Sequence, residues 1–176
     1  MTLFRPCIDL HQGQVKQIVG GTLTEAGAST NFISNQSATY YANLYRQHQL
    51  TGGHIIALGP NNQQQVLEAL AAYPKGMQFG GGVNLDNASG YLDAGASHII
   101  VTSYLFEDGQ FSWSRLNAIR SAVGAEHLVL DLSCRKTAKG WMIATDRWQT
   151  ITDTAINKST IKELESHCAE FLVHAA

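Results

Sequence analysis

The sequence has little charge and no run of like charges. Only 15% of its 176 residues are Asp, Glu, Lys or Arg, and the formal net charge is -2. The lack of a basic stripe or acidic tract argues against a dedicated nucleic-acid surface, so a small molecule is the expected partner. Cysteine is scarce too, limited to Cys7, Cys134 and Cys168. Three thiols leave one over in any disulfide framework and fall in no metal-ligand spacing, which points to a reducing compartment. His48, His54, His98, His127, His167 and His174 show no H-x-x-x-H or H-E-x-x-H spacing, and no metal site is expected. No apolar stretch reaches the ~18 residues of a membrane span, and the N-terminus lacks the apolar segment of a signal peptide. The cytoplasm is the expected location, with no membrane partner.

What is present is material for one core, since 44% of residues are apolar. The runs Leu3–Ile8, His54–Leu58, Met77–Phe79, His98–Val101, Leu128–Leu132 and Phe171–Val173 are short, rich in Ile, Val, Leu and Phe, and not strictly alternating. They read as buried parallel strands. Helical spacing separates them: Tyr40, Tyr41, Leu44 and Tyr45; Val66, Leu67 and Leu70; Tyr91 and Leu92; Trp113, Leu116 and Ile119; Ile161, Leu164 and Cys168. Asn61 or Asn62, Asp86, Ser112 and Thr160 are the expected N-caps, Thr160 with Glu163 in capping-box spacing, while Pro74, Gly95 and Gly124 sit where helices should stop. Strand and helix alternate through five units into a sixth strand. That is an α/β fold with a parallel sheet.

Asp9 and Asp131 each end a short apolar run in near-repeated settings, Cys7-Ile8-Asp9-Leu10 before Gly13 and Leu130-Asp131-Leu132 before Gly140. Each is followed by a long connection holding a second apolar run, Val15–Val19 or Trp141–Ala144, with the makings of a small hairpin. Long loops after strands are where barrels keep their chemistry. The interval between the aspartates then corresponds to a half-barrel of four units, about 120 residues. On this reading residues 1–176 form a single partial (β/α)8 barrel domain, its first half about 1–125 and its second from about 126. A second half of equal length would end near residue ~240, so the chain reads as cut at or just after the sixth strand. The competing reading is a complete doubly wound domain of six strands.

Matched aspartates suit acid–base work. A carboxylate in a buried strand is costly unless paired, hydrogen-bonded or set in a cleft, and a facing pair lets one act as base while the other, held protonated, acts as acid. A core aspartate holding a loop is the alternative at either position alone. Gly80-Gly81-Gly82 follows a strand and precedes a helix, where backbone amides can approach a phosphate; a plain turn is the alternative. Thr102 and Ser103, at the end of the next strand, could close such a site. His11 and Ser133, each two residues past an aspartate, are placed to touch substrate or orient a carboxylate, or are loop hydrogen-bonders. Trp148 either stacks on a planar heteroaromatic ring or packs on its own barrel rim. Arg135 and Lys136 attract phosphate or are simply solvated.

Together Cys7-Ile8-Asp9-Leu10-His11, Val15 to Thr22, Leu58-Gly59-Pro60-Asn61-Asn62, Gly80-Gly81-Gly82, Val101-Thr102-Ser103, Asp131 to Thr137 and Trp148-Gln149-Thr150 resemble the eukaryotic-type histidine-biosynthesis isomerases that act on phosphoribosylformimino-aminoimidazole-carboxamide ribotide. The motifs are weak singly and specific as a set, and the resemblance covers essentially the whole chain. It implies a (β/α)8 barrel of two similar halves, a cofactor-free Amadori rearrangement of an aminoaldose to an aminoketose, and a monomeric full-length protein. It further implies Asp9 as general base, Asp131 as general acid, Gly81, Gly82, Thr102 and Ser103 on one of two substrate phosphates, and Trp148 packed on the substrate. The family's second phosphate site follows its seventh and eighth strands, which this sequence lacks. Two alternatives stand beside it: the cyclase half of imidazole glycerol phosphate synthase, and a catalytically silent phosphosugar-binding fragment. Open edges at the first and last strands would make the isolated chain poorly soluble and inactive until the missing segment is restored.

Overall fold

Pro6 has no amide hydrogen to give to a ladder, and the first strand begins immediately after it. The computed structural model of the protein describes residues 2–19, 29–146 and 148–175. Gly20, Gly21 and Thr22, part of the resembling loop, lie outside the described residues. The chain divides into two compact units, Met1–Gly82 with Ser89–Ile99 and Val83–Ala88 with Ile100–Ala176.

In the first unit β1 (Cys7–His11) is followed by β2 (Gln14–Ile18), β3 (Thr30–Ile33), α1 (Ala38–Gln47), β4 (Gly53–Leu58), α2 (Gln63–Ala72) and β5 (Met77–Gly80). The short helix α3 (Ala88–Asp93) and β6 (Ile99–Val101) come next. β1 pairs in parallel with β4, and β4 with β5. β1, β2 and β3 form an antiparallel meander, so the apolar run after the first aspartate does build a hairpin. Its turn needs left-handed backbone, with Gln12 at φ 52° and Gly13 at φ 75°. Leu3 and Phe4 are not in the strand; both are exposed, at 70% and 72%. Pro6 contributes only its carbonyl, which accepts from the His54 amide at 3.0 Å.

Ile8, Leu10, Ile55, Leu70, Met77 and Phe79 are fully buried, each stabilising the unit by roughly 1.5–3 kcal/mol. Phe79 and Tyr91 pack ring on ring at 4.0 Å. The helix periodicity holds only in part: α2 turns Val66, Ala69 and Leu70 inward, but Leu67 of the same helix, Tyr40 of α1 and Trp113, expected on buried faces, are exposed. Ser37 caps α1, its side chain accepting from the Tyr40 amide at 3.2 Å.

The second unit contains the hairpin β7 (Phe106–Glu107) and β8 (Gln110–Phe111), then α4 (Trp113–Val123), β9 (Leu128–Asp131), the antiparallel sheet β10 (Cys134–Thr137), β11 (Gly140–Thr145) and β12 (Thr150–Ala155), then α5 (Lys158–Leu164) and β13 (Glu170–Leu172). β13 pairs in parallel with β9. Leu116, Ile119, Leu128, Leu130, Ile143 and Leu164 form its interior. The expected caps shift by a few residues. α3 starts after a turn in which Asn84 accepts from the Asp86 and Asn87 amides, and α5 is capped by Asn157 accepting from the Thr160 amide at 3.0 Å. The Thr160 hydroxyl goes instead to the Ala155 carbonyl, and that of Ser112 to Glu107.

Within each unit, parallel strands joined through a helix are direct neighbours in chain order. This is the sequential winding of part of a (β/α)8 barrel, without the order reversal of a doubly wound sheet. Among the described residues no helix is long and apolar enough to cross a membrane.

Candidate active site

Asp9 lies in β1 between Ile8 and Leu10, both fully buried, and is itself half-buried. Strand alternation therefore puts it on the opposite face with Cys7 and His11. The parallel register sets Asp9 level with Ile56 and Ile56 level with Gly80, so the glycine run begins at the height of the carboxylate. Gly81 has φ +107°, and a Cβ there would collide with the Ala57 carbonyl and stand 2.7 Å from the Ala57 nitrogen. It is glycine because one strand passes against the next. Gly82 differs: its φ is +68° and a Cβ would meet nothing within 4 Å. Open space in front of a left-handed glycine is what backbone approach to an anion needs. The helix that follows, α3, has only six residues and starts past the Asn84–Asn87 turn, so its dipole adds little to such a site.

Asn62, which the sequence suggests only as a helix cap, makes no cap bond. Its side chain is 2% exposed. Oδ1 accepts from the Gly13 amide at 2.8 Å, and Nδ2 donates to the carbonyls of Gly59 at 3.0 Å and Leu58 at 3.3 Å. One amide thus ties the turn after the Asp9 strand to the loop after β4. Asn62→Ala is expected to cost about 1–3 kcal/mol in urea unfolding, because buried polar groups lose their partner. A change under about 0.5 kcal/mol would show that the clamp carries no stability.

In the second unit Asp131 ends β9, level with Leu172 of β13. Its carboxyl accepts three hydrogen bonds. The Ser133 amide, at 2.8 Å, and the Ser133 hydroxyl both reach Oδ1, and the Thr102 hydroxyl reaches Oδ2 at 2.9 Å. Ser133 therefore orients the carboxylate, one of the three roles open to it from sequence. The Ser103 hydroxyl accepts from the Asp146 amide at 3.3 Å and keeps its own proton for another acceptor. Ser103 also borders a cavity of about 370 Å³ whose rim includes the carboxyls of Asp108 and Asp146, so a phosphate contact by its hydroxyl would have to be made away from those two side chains.

Trp148 has φ +64°, a strained conformation for a bulky residue, in the loop between β11 and β12. Its ring meets His174 edge to face at 5.3 Å, and its carbonyl accepts from Arg135 at 3.3 Å. The ring packs on its own chain here. Burial, and after it the charge of Asp9, pushes the Cys7 thiol up from its ordinary value; burial and then Asp131 do the same to Cys134. Both stay protonated near neutral pH and are poor nucleophiles.

A family model described as histidine biosynthesis protein matches residues 4–176. A Neurospora crassa protein named 1-(5-phosphoribosyl)-5-((5-phosphoribosylamino)methylideneamino) imidazole-4-carboxamide isomerase is 51% identical over 181 residues, covering 100% of this chain and 70% of the relative. A protein of the same name from Yarrowia lipolytica is 49% identical over 182 residues, covering 100% of this chain and 69% of its own length. A Medicago truncatula relative, named as the chloroplastic isomerase, is 50% identical and covers 97% of this chain and 57% of its own. Only Asp131 ends its strand, since β1 runs two residues past Asp9, but with the parallel strand–helix winding the match along the whole sequence is decisive: the chain belongs to the histidine biosynthesis protein family.

Proposed function

We infer that this protein is an aldose–ketose isomerase that converts phosphoribosylformimino-aminoimidazole-carboxamide ribotide to its phosphoribulosyl form by an Amadori rearrangement in L-histidine biosynthesis. The observation that carries the reading is identity of 51% and 49% to relatives named as the isomerase, with every part of this chain included.

The chemistry needs one acid and one base. Asp131 gives its proton to the ring oxygen of the aminoaldose; the C1–O bond breaks as the nitrogen lone pair forms C1=N. Asp9 then takes the proton from C2, the C–H electrons form C1=C2, and the C=N electrons return to nitrogen. The resulting enolamine gains a proton at C1 and loses one from the C2 hydroxyl, restoring both carboxyls. Each step moves protons and electron pairs within one molecule, so no cofactor is called for. Oδ1 of Asp131 already accepts two donors from Ser133. On this reading the transferable proton is carried by Oδ2.

Gly81, Gly82 and Ser103 are proposed contacts to a substrate phosphate, and Trp148 a packing surface for the ligand. We place the enzyme in the cytoplasm as a monomer with a bisphosphorylated ribotide as its partner, and with neither nucleic acid nor membrane. Titration with inorganic phosphate at millimolar concentration should shift the amide resonances of Gly82 and of Ser103. Unmoved resonances in a folded sample would remove the phosphate role from whichever residue fails to respond.

The deciding assay follows ribotide isomerisation, without ammonia, by the protein expressed from its full reading frame. Turnover supports the isomerase. Ammonia-dependent cyclisation of the ketose product instead would identify the cyclase on the same barrel, and phosphate binding with neither reaction would identify a silent binding protein.

A further inference from the structure

Thr102 and Ser103 are adjacent hydroxyls, yet the fold uses them differently. A threonine hydroxyl has a single proton to donate, and a phosphate oxygen needs a donor. The Thr102 proton is directed at Asp131 Oδ2 at 2.9 Å, from 29 residues away in sequence. The backbone holds it there: Thr102 has φ -132° and ψ -89°, outside both helix and strand geometry, at the point where β6 gives way to the turn beginning at Ser103.

We propose that Thr102 is a positioning residue for the acid Asp131, and that its hydroxyl is not a phosphate ligand. The proposal rests on the isomerase reading and refines it. With Ser133 occupying Oδ1, the Thr102 hydroxyl fixes the rotation of the carboxyl and leaves one open direction on Oδ2 for substrate. It also does more than orient. When Asp131 releases its proton to the ring oxygen, negative charge develops on the oxygen to which Thr102 donates. A hydrogen bond to an ionised acceptor is stronger than one to a neutral acid. The bond therefore tightens as the transition state is approached, and its loss should appear in kcat rather than KM.

The test compares Thr102→Val and Thr102→Ser with the parent in the full-reading-frame protein, through steady-state kinetics, inorganic phosphate titration and the carboxyl carbon resonance of Asp131. For Thr102→Val, kcat should fall about ten- to a hundredfold, the size of one lost charge-assisted bond. KM and phosphate affinity should stay within about threefold, and the Asp131 resonance should move. Thr102→Ser should restore all of these. A raised KM and weakened phosphate binding with kcat kept would overturn the proposal in favour of a phosphate contact. An unmoved Asp131 resonance would overturn it whatever the kinetics. Should Thr102→Val not fold, Thr102→Ala is read the same way. A parent without isomerase turnover would refute the isomerase reading and with it the catalytic part of the proposal, while the resonance still decides whether the hydrogen bond forms.

Discussion

Asp9→Asn is expected to reduce turnover by at least about a thousandfold, towards the upper end of what general acid–base catalysis supplies, while ribotide affinity changes less than about tenfold. The amide keeps the size and most of the hydrogen-bonding shape of the carboxylate, but it cannot take the C2 proton. The fold should tolerate it, since Ile8 and Leu10 on the other face of β1 provide the burial and Asp9 is only half-buried. Steady-state kinetics beside a thermal melt separates the two effects. Turnover within tenfold of the parent, in a protein that still binds ribotide, would remove Asp9 from the role of base.

Gly81→Ala should destabilise the protein by about 3 kcal/mol or more, a large share of the ~5–15 kcal/mol that holds a domain folded. Two costs combine. The backbone at φ +107° is one that only glycine adopts readily, and the new Cβ would run into the Ala57 carbonyl and nitrogen. Ala57 cannot withdraw cheaply, because its strand is held to β1 with Ala57 level with Leu10, one residue from Asp9. Gly82→Ala is the control: the same chemical change at φ +68° in open space should cost only about 1 kcal/mol. Urea unfolding of the pair checks the contrast. Equal midpoints for the two variants would mean that close passage of the strands is not what requires glycine at position 81.

The strands and helices were legible because burial leaves a pattern: Val66 and Leu70 recur on one helix face, and Ile55 lies in the unbroken apolar run of residues 55–58. Strand and helix limits were less so. Leu3 and Phe4 are as apolar as a strand requires, but Pro6 and the ladder beginning at Cys7 exclude them. Cap residues were misplaced at Asp86 and Thr160 for a related reason. Asn, Asp, Ser and Thr stand close together there, and which of them accepts the amide depends on where the chain turns. The aspartates were legible as charges in apolar strands. Their partners were not. Thr102 reaches Asp131 across 29 residues and Asn62 reaches Gly13 across 49, and no local pattern encodes such a meeting.

The Asn62 clamp bears on how tightly substrate can be held. Gln12 and Gly13, the turn leaving the Asp9 strand, occupy left-handed backbone that a free chain would sample only part of the time. Ordering a residue costs about 1–2 kcal/mol of conformational entropy. The buried Asn62 amide, anchored by donating to the Gly59 and Leu58 carbonyls, accepts from the Gly13 amide and settles this turn as the protein folds, so that loss is already taken before any ligand arrives. A ligand bound beside Asp9 need not order these two residues again, and its interaction energy remains available for its own alignment.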